Sequence, residues 1–260
     1  MKIVVLLKQV PDTYEDRKLN LQTGLLDRQT GEQILEEITE KALEVALQYK
    51  DKNKHTEIIV LSMGPVAVVS ALRRGLSMGA DRGIHILDDA LSGADMSWTA
   101  RTLAAAIARE NPGLVVAGNE STDGRGGIIP AMIAEHLGRP SLSQLHSVAI
   151  TDTTISGERA SESASMMVHA ALPAVISVTE RAAEARFPSF KGVLGAKKKP
   201  IEVLRLADLG LAPETEFSGV GRSSIVSTAE RPARDAGRKI TDDGTAAAAL
   251  ADFLVDARLI

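Results

Sequence analysis

An α/β fold on a doubly wound, mostly parallel sheet is predicted by two features of the chain. Short apolar runs alternate with amphipathic helical stretches over residues 1 to about 150, and one glycine-rich loop joins a strand to a helix. Parallel strands buried on both faces read as continuous β-branched and leucine-rich runs, and such sheets bind ligands at the carboxyl ends of their strands. Ile3–Leu7 is the first run of this kind. Ile38, Ala42, Val45, Ala46 and Tyr49 then recur at helical spacing until Asp51-Lys-Asn-Lys54 breaks the pattern. Ile58–Ser62 predicts a second strand, ended by Gly64-Pro65. Val66–Met78 predicts the next helix, with Gly79 as its C-terminal cap. Ile84–Leu87 follows as a third strand. Met96–Glu110 reads as a helix with Ala100, Leu103, Ala104 and Ile107 on one face, stopped by Asn111-Pro-Gly113.

The strand Leu114–Ala117 runs straight into Gly118, Asn119, Glu120, Ser121, Thr122, Asp123, Gly124, Arg125, Gly126 and Gly127, and then into a helix-like stretch, Ile128–Leu137. Glycines allow close approach of a ligand to the backbone. The helix start supplies free N–H groups and a partial positive charge, so the segment has the makings of a phosphate cradle. It ends in no Gly-Lys-Ser/Thr and does not fit Gly-x-Gly-x-x-Gly, so nucleotide binding stands beside an ordinary glycine-rich turn. The acidic Glu120 and Asp123 suit ribose hydroxyls, a backbone amide or a metal better than a phosphate.

After about residue 150 the rhythm changes. Val148–Ile150, Thr154–Arg159, Met166–His169 and Ala174–Val178 are short and strand-like, which predicts a smaller β-rich part. The segment 186–200 is basic and loop-like. Its run from Lys191 to Lys199 is either a solvated loop or a patch for an acidic partner. Phe187 and Phe190, just before that run, are either core residues or an exposed interaction anchor. From about Pro213 the chain is polar and rich in small residues until a final helix near Gly244–Leu259. Such a tail buries little by itself, and folding against another chain explains it simply.

Composition removes several function classes. The chain has no cysteine, which excludes disulfides, thiol nucleophiles and Cys-ligated clusters. A net charge of −4 and 3% aromatic residues offer nothing to nucleic acid. Histidines at 55, 85, 136, 146 and 169 lack metal-ligand spacing, and no nucleophile-elbow pattern occurs. Glu32, Glu36, Glu37, Glu40 and Glu44 suit the dipole of the first helix, which is reason enough for them. No run approaches the roughly 20 apolar residues of a membrane span. The N-terminus lacks a cleavage site and reads as the buried first strand of a cytoplasmic protein. No catalytic constellation is legible.

Several segments together resemble the β-subunit of electron-transfer flavoprotein. They are Val4-Val-Leu-Leu-Lys-Gln-Val-Pro-Asp-Thr13, Leu61-Ser-Met-Gly-Pro65, Gly75-Leu-Ser-Met-Gly-Ala-Asp-Arg82, the loop 118–127, Leu172-Pro-Ala-Val-Ile-Ser-Val178, and the whole of 186–200. Their order holds from residue 1 to about 210. The resemblance implies a Rossmann-like, adenine-nucleotide-binding domain over 1–210, including a recognition loop at 186–200, and an extended arm over 211–260 docked on an α-subunit. It implies FAD held mainly by that α-subunit and one structural AMP here, against Leu6, Glu36, Glu37, Ile38, Thr39, Met63 and Gly118 through Ile128 and Ile129. Tyr14 would approach the flavin edge. Phe190, with Phe187 and Lys191, would meet partner dehydrogenases.

The implied function is electron transfer, not enzymatic turnover: electrons pass from flavin dehydrogenases such as acyl-CoA dehydrogenases to a quinone oxidoreductase and the quinone pool. Two alternatives stay open, an electron-bifurcating relative with a second FAD in place of AMP and a stand-alone nucleotide-binding sensor. The chain also departs from the family's usual pattern. Glu-Glu-Ile-Thr stands at 36–39 where many relatives have an Asn-Pro-Phe-like stretch. Ala160 replaces a glutamate thought to tether the α-subunit's flavin domain, so a tether is lost or falls to Glu158 or Glu162 beside Arg159.

Overall fold

The structure, a computed structural model, describes every residue except 16, 29, 30, 162, 213–222, 224, 235 and 238. In chain order the first elements are β1 (Lys2–Leu6), β2 (Gln9–Pro11), β3 (Gln33–Leu35), α1 (Glu37–Lys52), β4 (Glu57–Met63) and α2 (Val69–Met78). They are followed by β5 (Arg82–Ile86), α3 (Met96–Glu110), β6 (Leu114–Gly118), α4 (Ile129–Leu137), β7 (Ser141–Leu145), β8 (Ser147–Ile150) and β9 (Thr154–Ala160). Last come β10 (Ser165–Ala171), β11 (Ala174–Val178), α5 (Phe190–Ala196), β12 (Ile201–Leu204) and α6 (Ala246–Asp256).

Seven strands form one sheet in the order β12-β5-β4-β1-β6-β11-β7, and every pairing in it is parallel. Successive side chains of a strand point to opposite faces, and both faces here are apolar. Ile3, Val5, Ile58, Val60 and Val116 pack against Leu43, Ala46 and Leu47 of α1 and against Leu72 and Leu76 of α2. Val4, Leu6, Ile59, Leu61 and Val115 pack the other way, against Leu103 and Ile107 of α3 and Ile133 of α4. Each fully buried leucine or isoleucine in these layers contributes about 1.5–3 kcal/mol. The predicted doubly wound sheet is therefore the observed one.

The connections define where the sheet can bind. From β1 the chain steps to β4 and β5 on one side, then returns to β6 on the other. The order reverses at β1 and β6, which opens a crevice at the carboxyl ends of these two strands. A three-stranded antiparallel sheet, β10-β9-β8, forms the smaller β-rich part, and Ile155 of β9 is buried in the core shared with β11.

Four strands and one helix go beyond what the sequence pattern predicts. β2 and β3 form a ribbon of three residues each, with Val10 opposite Ile34. β12 is an edge strand in which only Leu204 is buried, and β7 breaks alternation, with Leu142 and Leu145 buried three apart around Gln144 at positive φ. Within 186–200, Phe190–Ala196 is helical. Two glycines in its seven residues hide it from propensity, but Ser189 Oγ accepts from the Gly192 amide at 3.1 Å and caps its start.

Residues Ser227–Ile260 form a separate unit. Its helix α6 buries no residue, and Leu250, Phe253 and Val255 are all more than half exposed.

Candidate functional site

The glycine-rich loop leaves β6 at the switch point and is pinned there from three directions. Lys8, just past β1, donates from Nζ to Ser121 Oγ at 2.9 Å and to Asp123 Oδ1 at 2.7 Å. Arg28 donates to Asp123 Oδ2 at 2.5 Å, and Arg17 donates to the Thr122 carbonyl. From the third side, Glu36 accepts from the Thr122 amide at 3.0 Å and from its hydroxyl at 2.8 Å. Glu36 is fully buried, as is the Asp123 carboxylate. Burial pushes the Asp123 carboxyl up. The Lys8 ammonium, the Ser121 hydroxyl and Arg28 outweigh it and hold the group well below the usual carboxylate range.

These bonds give two acids of the crevice their roles. Asp123 accepts from Lys8, Arg28 and, at 2.7 Å, the Gly124 amide, and Glu36, outside the loop, serves Thr122. Arg125 sits in the left-handed region at φ 48°, its amide donating to Ser121 O at 2.9 Å, so the surrounding bonds dictate the turn. At Gly118 the strand end packs closely on α1, where a Cβ would lie 3.1 Å from Ile38 Cγ2. Gly127 is needed for its φ of 64°, and a Cβ there would meet nothing within 4 Å. The backbone at Gly127 is therefore open to an approaching group.

Two helices begin at this crevice, and neither start carries a side-chain cap. At α1, Glu36 occupies the cap position but spends its carboxylate on Thr122. At α4, Ile128 caps with no side chain and Pro130 follows in the first turn. The partial positive charge of uncapped helix starts favours an anion. Asn119 Oδ1 is buried with no hydrogen-bond partner, an orphan that a donor on a bound group would satisfy.

The predicted site residues come together only in part. Leu6 is buried at the carboxyl end of β1. Met63 closes β4 two residues past Leu61, the register partner of Leu6, and packs on the apolar cluster of Leu6 and Ala117. Ile38 touches Gly118. Thr39 is buried, with Oγ1 donating to Glu36 O at 2.8 Å, whereas Glu37 is turned to solvent beside Lys41. Tyr14 is 97% exposed, and Phe187 and Phe190 are 89% and 81% exposed, which decides between core and surface for both phenylalanines. Lys191 is exposed as well.

Sequence reasoning missed Lys8, Arg17 and Arg28. Lys8 showed only as the break in an apolar run, although a cation at the end of a buried strand beside a predicted anion site was a usable signal. The helix dipole also proved too plain a reason for the first helix's acids. Glu44 is buried and takes a bidentate bond from Arg186 at 2.7 and 2.9 Å, which fixes the start of 186–200 onto α1. In β9, Glu158 accepts from Ser165 Oγ and Arg159 Nε is buried without a partner, while Glu162 lies outside the described residues. Among the described residues no group of acids and histidines has the geometry of a metal site, and no helix is long and apolar enough to cross a membrane.

A parallel sheet wound on both faces, with a pinned glycine loop at its switch point, defines an α/β protein of Rossmann-like architecture. The family model described as the electron transfer flavoprotein domain matches residues 23–209. Electron transfer flavoprotein subunit beta of Mycobacterium leprae is 44% identical, with 99% of each chain covered, and that of Mycobacterium tuberculosis is 43% identical with the same coverage. The caffeyl-CoA reductase-Etf complex subunit CarD of Acetobacterium woodii is 34% identical over 98% of this chain and 97% of its own. The chain belongs to the electron transfer flavoprotein family, among its beta subunits.

Proposed function

We propose that this chain is the β-subunit of a heterodimer that carries electrons from flavin dehydrogenases, acyl-CoA dehydrogenases among them, to a quinone oxidoreductase and the quinone pool. Full-length similarity to proteins named as beta subunits carries the reading. In the heterodimer the FAD of the α-subunit supplies the redox chemistry. This chain's share is nucleotide binding, partner recognition and electrostatics.

The loop site is the place for one structural AMP. The amides around Gly127 and the starts of α1 and α4 suit the phosphate, and the orphan Asn119 Oδ1 suits a donor on the nucleotide. Leu6 and Met63 offer apolar surface beside it, and Ile38 backs Gly118. The Lys8–Asp123–Arg28 pairing keeps the loop in shape, so the phosphate meets backbone donors in a preset arrangement. No proton needs to move at any of these groups for electrons to pass.

Phe190 is the anchor for dehydrogenases, supported by its exposure and by Phe187, Val193 and Leu194 exposed around it. Exposed aromatic and apolar groups of this kind dominate interface energies, while charges such as Lys191 act more on encounter rate. Unit 227–260 is the arm that lies on the α-subunit, where the apolar side of α6 finds cover.

One observation favours a second reading, the CarD similarity along nearly the whole chain, since that relative is named as part of a reductase–Etf complex. In that reading the loop site holds a second FAD. Counting nucleotides extracted from the co-purified heterodimer separates the two: the first expects one FAD and one AMP per dimer. Two FAD and no AMP would establish the second reading and remove the first.

A further inference from the structure

The helix that presents Phe190 has little of its own to hold it. It is seven residues long, contains Gly192 and Gly195, and buries only Ala196, while Val193 and Leu194 face solvent with Phe190. Helices this short are not stable alone, and glycine weakens them further. Hydrophobic burial is not what keeps α5 in place.

Polar bonds between α2 and the α5 segment do so, and they run both ways. Arg73 of α2 donates from one guanidinium nitrogen to Ala196 O and Lys199 O, each at 2.6 Å, closing the carboxyl end of α5. Lys199, past α5, returns its ammonium to Leu76 O at 3.0 Å and Ala80 O at 2.5 Å, closing the carboxyl end of α2. Each helix end thus receives a cation from the other segment, which suits both dipoles. Gly192 sets the distance, because a Cβ there would lie 2.4 Å from the Ser77 carbonyl oxygen. The two segments are in direct backbone contact at that point.

We infer that Arg73 and Lys199 are positioning residues for partner recognition: their reciprocal bonds hold α5 formed and in fixed register, so that Phe190 meets a dehydrogenase surface without a prior ordering step. Ordering a loose segment on binding lowers affinity, and pre-forming it removes that cost. The inference rests on the reading of Phe190 as the anchor and deepens it.

The test uses the heterodimer with four variants, Arg73→Met, Arg73→Lys, Gly192→Ala and Phe190→Ala, and two measurements. Hydrogen exchange of amides 193–199 is expected to quicken about tenfold in R73M, with the amides of β1 and β6 unchanged. Alanine is the better helix former, so a helix held by its own propensity would slow its exchange in G192A. A helix held by docking on Ser77 is expected to exchange faster. Unchanged exchange in R73M, or slowed exchange in G192A, overturns the inference.

In the second measurement, reduction of the heterodimer by an acyl-CoA dehydrogenase charged with octanoyl-CoA, R73M is expected to raise KM about three- to tenfold with kcat kept, and Arg73→Lys to recover part of it. If F190A slows transfer and R73M does not, the positioning role falls and the anchor stands. If F190A changes nothing, the anchor reading falls, and the positioning role falls with it.

Discussion

Burial alone would favour a protonated Asp123, yet the Lys8 ammonium at 2.7 Å and the Arg28 guanidinium at 2.5 Å reverse that preference. A carboxyl held low in the folded state stabilises it fully above the unfolded value of about 3.9, and the contribution is lost as pH falls below that value towards the folded one. Asp123→Asn keeps the shape and removes the charge. Lys8 and Arg28 are nearly half exposed and rehydrate readily, so the expected loss is about 1–2 kcal/mol at pH 7. Urea unfolding of both proteins at pH 7 and pH 3 checks it: the gap narrows at pH 3, and an equal gap at both values would show that the charge is not what counts. At this scale the sequence disclosed the loop but not its basic partners. Lys8, Arg17 and Arg28 lie far from residues 121–123 along the chain, and spacing rules see only neighbours.

Elements with long, regular burial were legible in the sequence, and those held by a few specific bonds were not. Met96–Glu110 was readable to the residue because its apolar face repeats at helical spacing from Trp98 to Ile107 and Asp95 caps the Trp98 amide at 2.9 Å. The α5 helix was not readable, since its stability comes from Arg73 and Lys199 on other segments. The same holds for the stretch leading into it. Hydrogen bonds to Glu44 and Asp51 raise the pKa of Arg186 above its ordinary value, burial notwithstanding, and tie this stretch to α1. Glu44→Gln removes the charge from the more buried partner. It is expected to cost about 1–2 kcal/mol and to lower Tm by roughly 2–6 °C, which calorimetry of the heterodimer measures. No shift in Tm would mean that Asp51 alone secures the segment.

For the whole molecule, the doubly wound sheet was evident from the alternation of runs and the final helix near 244–259 is α6, whereas the strand order that makes the switch point was not legible; α6 buries nothing within its own unit. Deleting 227–260 is therefore expected to leave the thermal unfolding of this chain by itself within about 1 °C of the full length, and to weaken association with the α-subunit. A large drop in Tm would show that the arm stabilises the chain without a partner.

The pins of the glycine loop carry a further consequence. Lys8 and Asp123 are 115 positions apart, and Glu36 and Thr122 are 86 apart, so no short stretch of the chain contains the site. It comes into being only when β1, α1 and β6 have met. A nucleotide that binds there has no counterpart to grip in the unfolded chain, and each tenfold rise in its concentration above Kd adds about 1.4 kcal/mol to the entire fold. A nucleotide held there would thus tie β1, α1 and β6 together, and its loss would show as lower stability of the whole chain rather than as a local change.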